Sequence, residues 1–99
     1  MLTSKDRAYL RGIANGIETI LTVGHGGITD NTIADAEGAL RARELIKGQV
    51  LETAPETARE AAATLAEATD AEVVQVIGRR FVLYKRNLKD PKIVIGASR

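Results

Sequence analysis

Apolar residues recur at two different spacings along the chain. Near the N-terminus Leu10, Ile13 and Ala14 fall at i, i+3 and i+4, one face of a helix predicted from Lys5 to about Asn15. Ser4 stands before it as a candidate N-cap, and Asn15-Gly16 are residue types that readily leave a helix in a left-handed conformation. The spacing then shortens, and the apolar, β-branched run Ile17 to Val23 predicts a strand. Gly24-His25-Gly26-Gly27 interrupts it. Thr29 then caps a second helix to about Arg43, with Ile33, Ala36 and Leu40 at i, i+3 and i+7. Leu45 to Glu52 predicts a second strand. Pro55 suits the first turn of a third helix, predicted over Glu56 to Thr69. Its inner face is Ala58, Ala61, Ala62 and Ala66 around Leu65, small enough to lie close against a sheet. Val73 to Ile77 and Phe81 to Arg86 predict a hairpin linked by Gly78-Arg79. The tail beyond Asn87 is polar and basic, with Lys92-Ile93-Val94-Ile95 as a candidate extra strand or docked extension.

The order helix-strand-helix-strand-helix-strand-strand defines an α/β chain. Strand-helix-strand units imply parallel pairing with right-handed crossovers, and the final hairpin adds an antiparallel pair. The third strand, Val73-Val74-Gln75-Val76-Ile77, is apolar on both faces, so both sides of the sheet are expected to be covered. Helices two and three should share one face and helix one should take the other. Ninety-nine residues fit one domain spanning 1–99, with no internal repeat or linker.

The net charge of +1 conceals a strong asymmetry. Residues 30–72 carry ten acidic and four basic side chains, whereas residues 73–99 carry seven basic side chains against Asp90 alone. A basic C-terminal third is the footprint expected where a phosphate backbone docks, and taken alone it fits a merely soluble surface equally well. There is no cysteine, which excludes disulfides and thiolate metal sites. No apolar stretch approaches the roughly 20 residues of a membrane span. The N-terminus lacks the basic-then-apolar plan of a secretory signal, so a cytoplasmic protein without membrane partners is expected.

The densest local signal is Gly24-His25-Gly26-Gly27 between a strand and a capped helix. Glycine lets a backbone approach another backbone closely, and a helix N-terminus attracts phosphate through its unpaired N–H groups and dipole. This is the physics of the G-x-x-G loop that clamps nucleotides in KH domains, although so short a pattern also fits a plain tight turn. The spacing excludes a P-loop, because Ile28-Thr29 follows the last glycine in place of Lys-Ser or Lys-Thr. It also excludes a dinucleotide fingerprint, for which no third glycine follows. Gly78, Phe81, Val82 and Tyr84 partly match an RRM signature, but Arg79 stands where that motif stacks a base and the element order differs. Phe81 and Tyr84 are therefore read as core or hairpin residues. With only three aromatics, stacking is scarce, and recognition should rest on backbone and shape. His25, the one histidine, has no nucleophile motif beside it, metal-ligand spacing is missing, and Glu37, Glu44, Glu56, Glu60 and Glu67 fit solvent faces or helix ends. Neither an enzyme nor a cofactor is expected.

Several blocks together resemble a YhbY-type CRM domain, named for chloroplast RNA splicing and ribosome maturation. They are Leu10-Arg11-Gly12, Gly24 to Thr29, Glu44-Leu45-Ile46-Lys47, Val74 to Arg79, and Phe81-Val82-Leu83-Tyr84, in order along nearly the whole chain. The resemblance implies a mixed four-stranded sheet similar to the C-terminal domain of translation initiation factor three. It also implies a non-enzymatic RNA-binding protein associated with ribosomal RNA in precursors of the large ribosomal subunit. The family often carries lysine where His25 stands, so a permanent charge in this loop is not assured. Gly24, Gly26 and Gly27 are the candidates for shaping a phosphate-facing loop. Arg11, His25, Lys47, Arg79, Arg80 and Arg86 are the candidates for phosphate or sugar contacts, and a monomer is expected. The alternative is a protein-interaction adaptor that uses the acidic middle and the basic end.

Overall fold

The computed structural model describes residues 2–89 and 91–93. Helix α1 spans Ser4–Ala14, β1 Thr19–Val23, α2 Asp30–Arg43, β2 Leu45–Val50, α3 Ala58–Thr69, β3 Glu72–Ile77 and β4 Arg80–Tyr84. The element order is the one the hydrophobic pattern predicts. The sheet order is β1-β2-β4-β3, with β1 and β2 parallel and β4 antiparallel to both of its neighbours. The second strand-helix-strand unit therefore closes without direct pairing, because the hairpin returns β4 between β2 and β3.

Reciprocal caps decide where the helices start. Thr3, not Ser4, caps α1: its hydroxyl accepts the Asp6 amide at 3.1 Å and the Asp6 carboxylate accepts the Thr3 amide at 3.1 Å. A cap at Ser4 would put Arg7 at the third helical position, and an arginine has no acceptor to close the box. Thr29 caps α2 as expected, paired with Thr32. The third helix begins later than Pro55 suggested, because Thr57 and Glu60 form its box. At the other end of α1, Asn15 stays right-handed (φ −61), and the helix tightens out through Gly16 N–H to the Ile13 carbonyl, 3.0 Å. The strands are shorter than the apolar runs suggest: β1 starts at Thr19, β2 ends at Val50 and β4 ends at Tyr84, although single backbone bonds from the Leu51 amide to Val23 and from the Lys85 amide to Glu44 continue past the last two.

Two cores flank the sheet. Leu40, Ala36 and the α3 face of Ala58, Ala61, Ala62, Leu65 and Ala66 pack on Leu21, Val23, Ile46, Val50, Phe81 and Leu83. On the opposite face α1 sets Leu10 and Ala14 against Leu45, Val74, Val82 and Tyr84. This is the expected division of helices. Phe81 is 1% exposed, and Gly48 makes that possible: a Cβ there would stand 2.4 Å from the ring. Of the candidate extra strand, Lys92 and Ile93 form no strand, while Val94 and Ile95 lie outside the described residues.

Candidate nucleic-acid interface

Parallel β1–β2 pairing and the antiparallel return of β4 bring three connections to one end of the sheet. Val23 pairs with Val50, the Leu51 amide donates to the Val23 carbonyl at 2.9 Å, and the Val50 amide donates to the Arg79 carbonyl at 2.8 Å. The glycine loop, the β2–α3 connection and the Gly78-Arg79 turn thus lie side by side. Gly24, His25, Gly26, Gly27, Arg79 and Arg80 all belong to this end. Lys47 approaches it on the face that carries α1, where it lines a groove with Arg79 and Arg80. Arg86 is not part of the cluster. It follows β4 at the opposite end, where Tyr84 pairs with Leu45, and shares a second groove with Arg41 and Lys89. Arg11 is half-buried in the last turn of α1 and lines neither groove.

The Gly27 amide donates to the Gly24 carbonyl at 2.9 Å, closing a turn with His25 and Gly26 at its exposed tip. Among the described residues neither tip amide has a hydrogen-bond partner. Gly27 has φ +71, and a Cβ on it would lie 2.9 Å from Pro55 Cγ and 3.1 and 3.2 Å from the Glu56 carboxylate oxygens. A Cβ at Gly26 would meet nothing within 4 Å. Glycine is required at 27 by conformation and by space, and at 26 by neither.

Glu56 is the residue that the sequence reading left on a solvent face or helix end. Its Oε2 accepts the Ile28 amide at 3.3 Å, and its Oε1 is buried with no hydrogen-bond partner among the described residues. The chain's own carboxylate therefore occupies the inner side of the loop, against the amides that lead into α2. The outer side, at His25 and Gly26, is exposed. Nothing in the spacing from Gly27 to Glu56 signals this contact, because it depends on how the β2–α3 connection folds back.

Glu44 was read as a helix-end or solvent residue, and it does cap α2, but it is 0% exposed. Its backbone adopts φ +66, and its carboxylate accepts the amides of Asn87 at 2.6 Å, Ile93 at 2.6 Å and Lys92. This buried carboxylate ties Asn87, Lys92 and Ile93 to the end of α2. Within that segment Lys85 is already engaged, its ammonium donating to the Thr69 carbonyl at 2.8 Å where α3 ends. Burial, reinforced by the nearby Glu44 carboxylate, pushes the Tyr84 phenol above its ordinary value, and its hydroxyl has no hydrogen-bond partner among the described residues. Phe81 and Tyr84 are both core residues, as read from the sequence, which leaves Tyr9 as the one exposed aromatic. Among the described residues no group of side chains is placed to hold a metal ion, and no helix is long and apolar enough to cross a membrane.

The chain belongs to the CRS1/YhbY (CRM) domain family, whose match runs over residues 2–85. It is 40% identical over 93 residues to the Bacillus subtilis protein named probable RNA-binding protein YqeI, covering 94% of this chain and 97% of that one. A Haemophilus influenzae protein named RNA-binding protein is 33% identical over 84 residues, 85% of each chain. The solution structure of SAV1595 from Staphylococcus aureus superposes with a TM-score of 0.79 at 42% identity, over 95% of this chain and 98% of that one. The family is non-enzymatic, in agreement with the sequence reading.

Proposed function

We propose that this chain is a single-domain, monomeric RNA-binding protein of the cytoplasm that grips structured ribosomal RNA by its sugar–phosphate backbone and acts in assembly of the large ribosomal subunit. The observation that carries the reading is the convergence, at one end of the sheet, of the open His25–Gly26 loop tip with Arg79 and Arg80. Unpaired amides at a loop tip and a pair of guanidinium groups both recognise phosphate without regard to base. Relatives named for RNA binding support the same reading, and the role in subunit assembly follows the family likeness. Gly24 and Gly27 set the shape of the loop, and Lys47 extends the cationic surface onto the sheet. Arg86 belongs to a second, separate cationic region with Arg41 and Lys89, and Arg11 flanks the first from α1. Sedimentation of a cell lysate tests the assembly role. The protein should travel with large-subunit precursors and be depleted from translating ribosomes; equal occupancy of both subunits, or a position only at the top of a low-salt gradient, contradicts it.

A further inference from the structure

Helix α1 covers only part of the sheet face on which it packs. Its buried contacts reach Leu45, Val74, Val82 and Tyr84 and stop where the helix ends at Ala14. Among the described residues nothing covers the face beyond that point, which forms a groove of about 600 Å³, the size of sites that hold small ligands. Strand register determines what lines it. Thr22 pairs with Gln49, Gln49 with Arg80, and Arg80 with Ile77, forming one row across all four strands. The next row holds Lys47, Val82 and Gln75. A register shift between Val73 and Gln75 turns Gln75 and Ile77 onto this face while Val73 and Val76 stay with the α3 core.

The chemistry of this groove differs from that of the loop. Its floor is apolar, with Val82 buried and Ile77 64% exposed. Two half-buried glutamines converge on it, one of them held by Gln49 Nε2 donating to Thr22 Oγ1 at 3.3 Å. Lys47, Arg79 and Arg80 stand around it, and Glu52 is the one acid among its described lining residues. A carboxamide presents a donor and an acceptor together, which matches the edge of a nucleobase and is wasted on phosphate alone. An arginine plane can cover a base where no aromatic ring is available. We propose that this groove receives one unpaired nucleotide of the bound RNA. Its base lies over Val82 and Ile77 with its edge on Gln49 and Gln75, and its flanking phosphates lie on Lys47 and Arg79. The assignment rests on the RNA-binding reading above and adds to it a site that distinguishes a bulged stem from a fully paired one.

The test uses the full chain and two hairpin RNAs that differ only in one unpaired nucleotide within the stem. The wild type should bind the bulged hairpin about 5–10-fold more tightly, a difference of the size that a small set of base contacts provides. Gln49→Leu and Gln75→Leu should each remove most of that preference and leave affinity for the paired hairpin unchanged, with melting curves confirming that both variants fold. Side-chain amide resonances of Gln49 and Gln75 should shift with the bulged hairpin and not with the paired one. Equal affinity of the wild type for the two hairpins, or a preference that survives both substitutions, overturns the nucleotide site and leaves backbone binding intact. Failure of the wild type to bind either hairpin overturns the RNA reading and the groove assignment together.

Discussion

Alanine at Gly27 separates the shape of the glycine loop from its exposure. The residue's φ of +71 lies where an L side chain costs about 1–2 kcal/mol. The new Cβ would also stand 2.9 Å from Pro55 Cγ, a ring atom fixed by its backbone, and 3.1 and 3.2 Å from the Glu56 oxygens. Glu56 can yield only by releasing the Ile28 amide, a further loss of about 0.5–1.5 kcal/mol. Together these give a destabilisation of about 1.5–3.5 kcal/mol. In a domain of this length each kcal/mol moves Tm by about 4–8 °C, so Gly27→Ala should lower it by on the order of 10–20 °C. Gly26→Ala adds a Cβ with nothing within 4 Å and should leave Tm nearly unchanged. Thermal melts followed by circular dichroism, without RNA, compare the two. Equal losses at both positions, or an undisturbed Gly27→Ala protein, would refute the geometry argued for the loop. On the folded Gly26 variants, RNA affinity should then fall much further for Gly26→Asp than for Gly26→Ala, since only the former sets a carboxylate at the tip.

Three other substitutions probe what holds the interface in place. Glu44→Gln keeps the side-chain volume but turns an NH2 group toward amide donors, costing about 1–3 kcal/mol; hydrogen exchange should quicken at the Asn87, Lys92 and Ile93 amides while the sheet stays protected. Gly48→Ala drives a Cβ to 2.4 Å from the Phe81 ring and should cost about 1–3 kcal/mol in urea unfolding, partly recovered when Phe81→Leu is added. Tyr84→Phe removes a buried hydroxyl that has no partner among the described residues, so stability at neutral pH should hold or rise by up to about 1 kcal/mol. Because the folded state raises this phenol's pKa, its contribution is complete below the ordinary 10.0 and is lost as pH climbs through the higher folded value. The stability difference between wild type and Tyr84→Phe should therefore change only above pH 10.0.

The element order was legible because helix faces such as Leu10, Ile13 and Ala14 and the alanine stripe of α3 have one consistent period. Caps were less so: Ser4 and Thr3 are both capping types, and only the partner three residues on, Asp6 against Arg7, distinguishes them. The strand order was not legible, since adjacency of β4 to β2 depends on long-range pairing that leaves no local mark. Among the candidate site residues, the loop and hairpin positions came together because strand direction fixes where both connections fall. Arg86 separated from them for the same reason, lying at the far end of the strand that Arg80 begins. Glu44 and Glu56 escaped notice because a charged residue is usually solvated. Each instead spends its carboxylate on backbone amides distant in sequence. Gln75 faces the groove through a register shift within β3, which strict alternation does not predict.

If RNA is held by its backbone at the loop and hairpin end, the salt dependence of binding shows it most directly. Lys47, Arg79, Arg80 and the loop tip offer about three to four phosphate contacts. Affinity for a paired ribosomal RNA stem should therefore fall by about two decades between about 50 and about 200 mM salt. Arg79→Ala with Arg80→Ala should reduce the slope of log K against log salt by about two and weaken binding at low salt, with Tm almost unchanged. A wild-type affinity nearly independent of salt, or a slope untouched by loss of both arginines, would contradict the account.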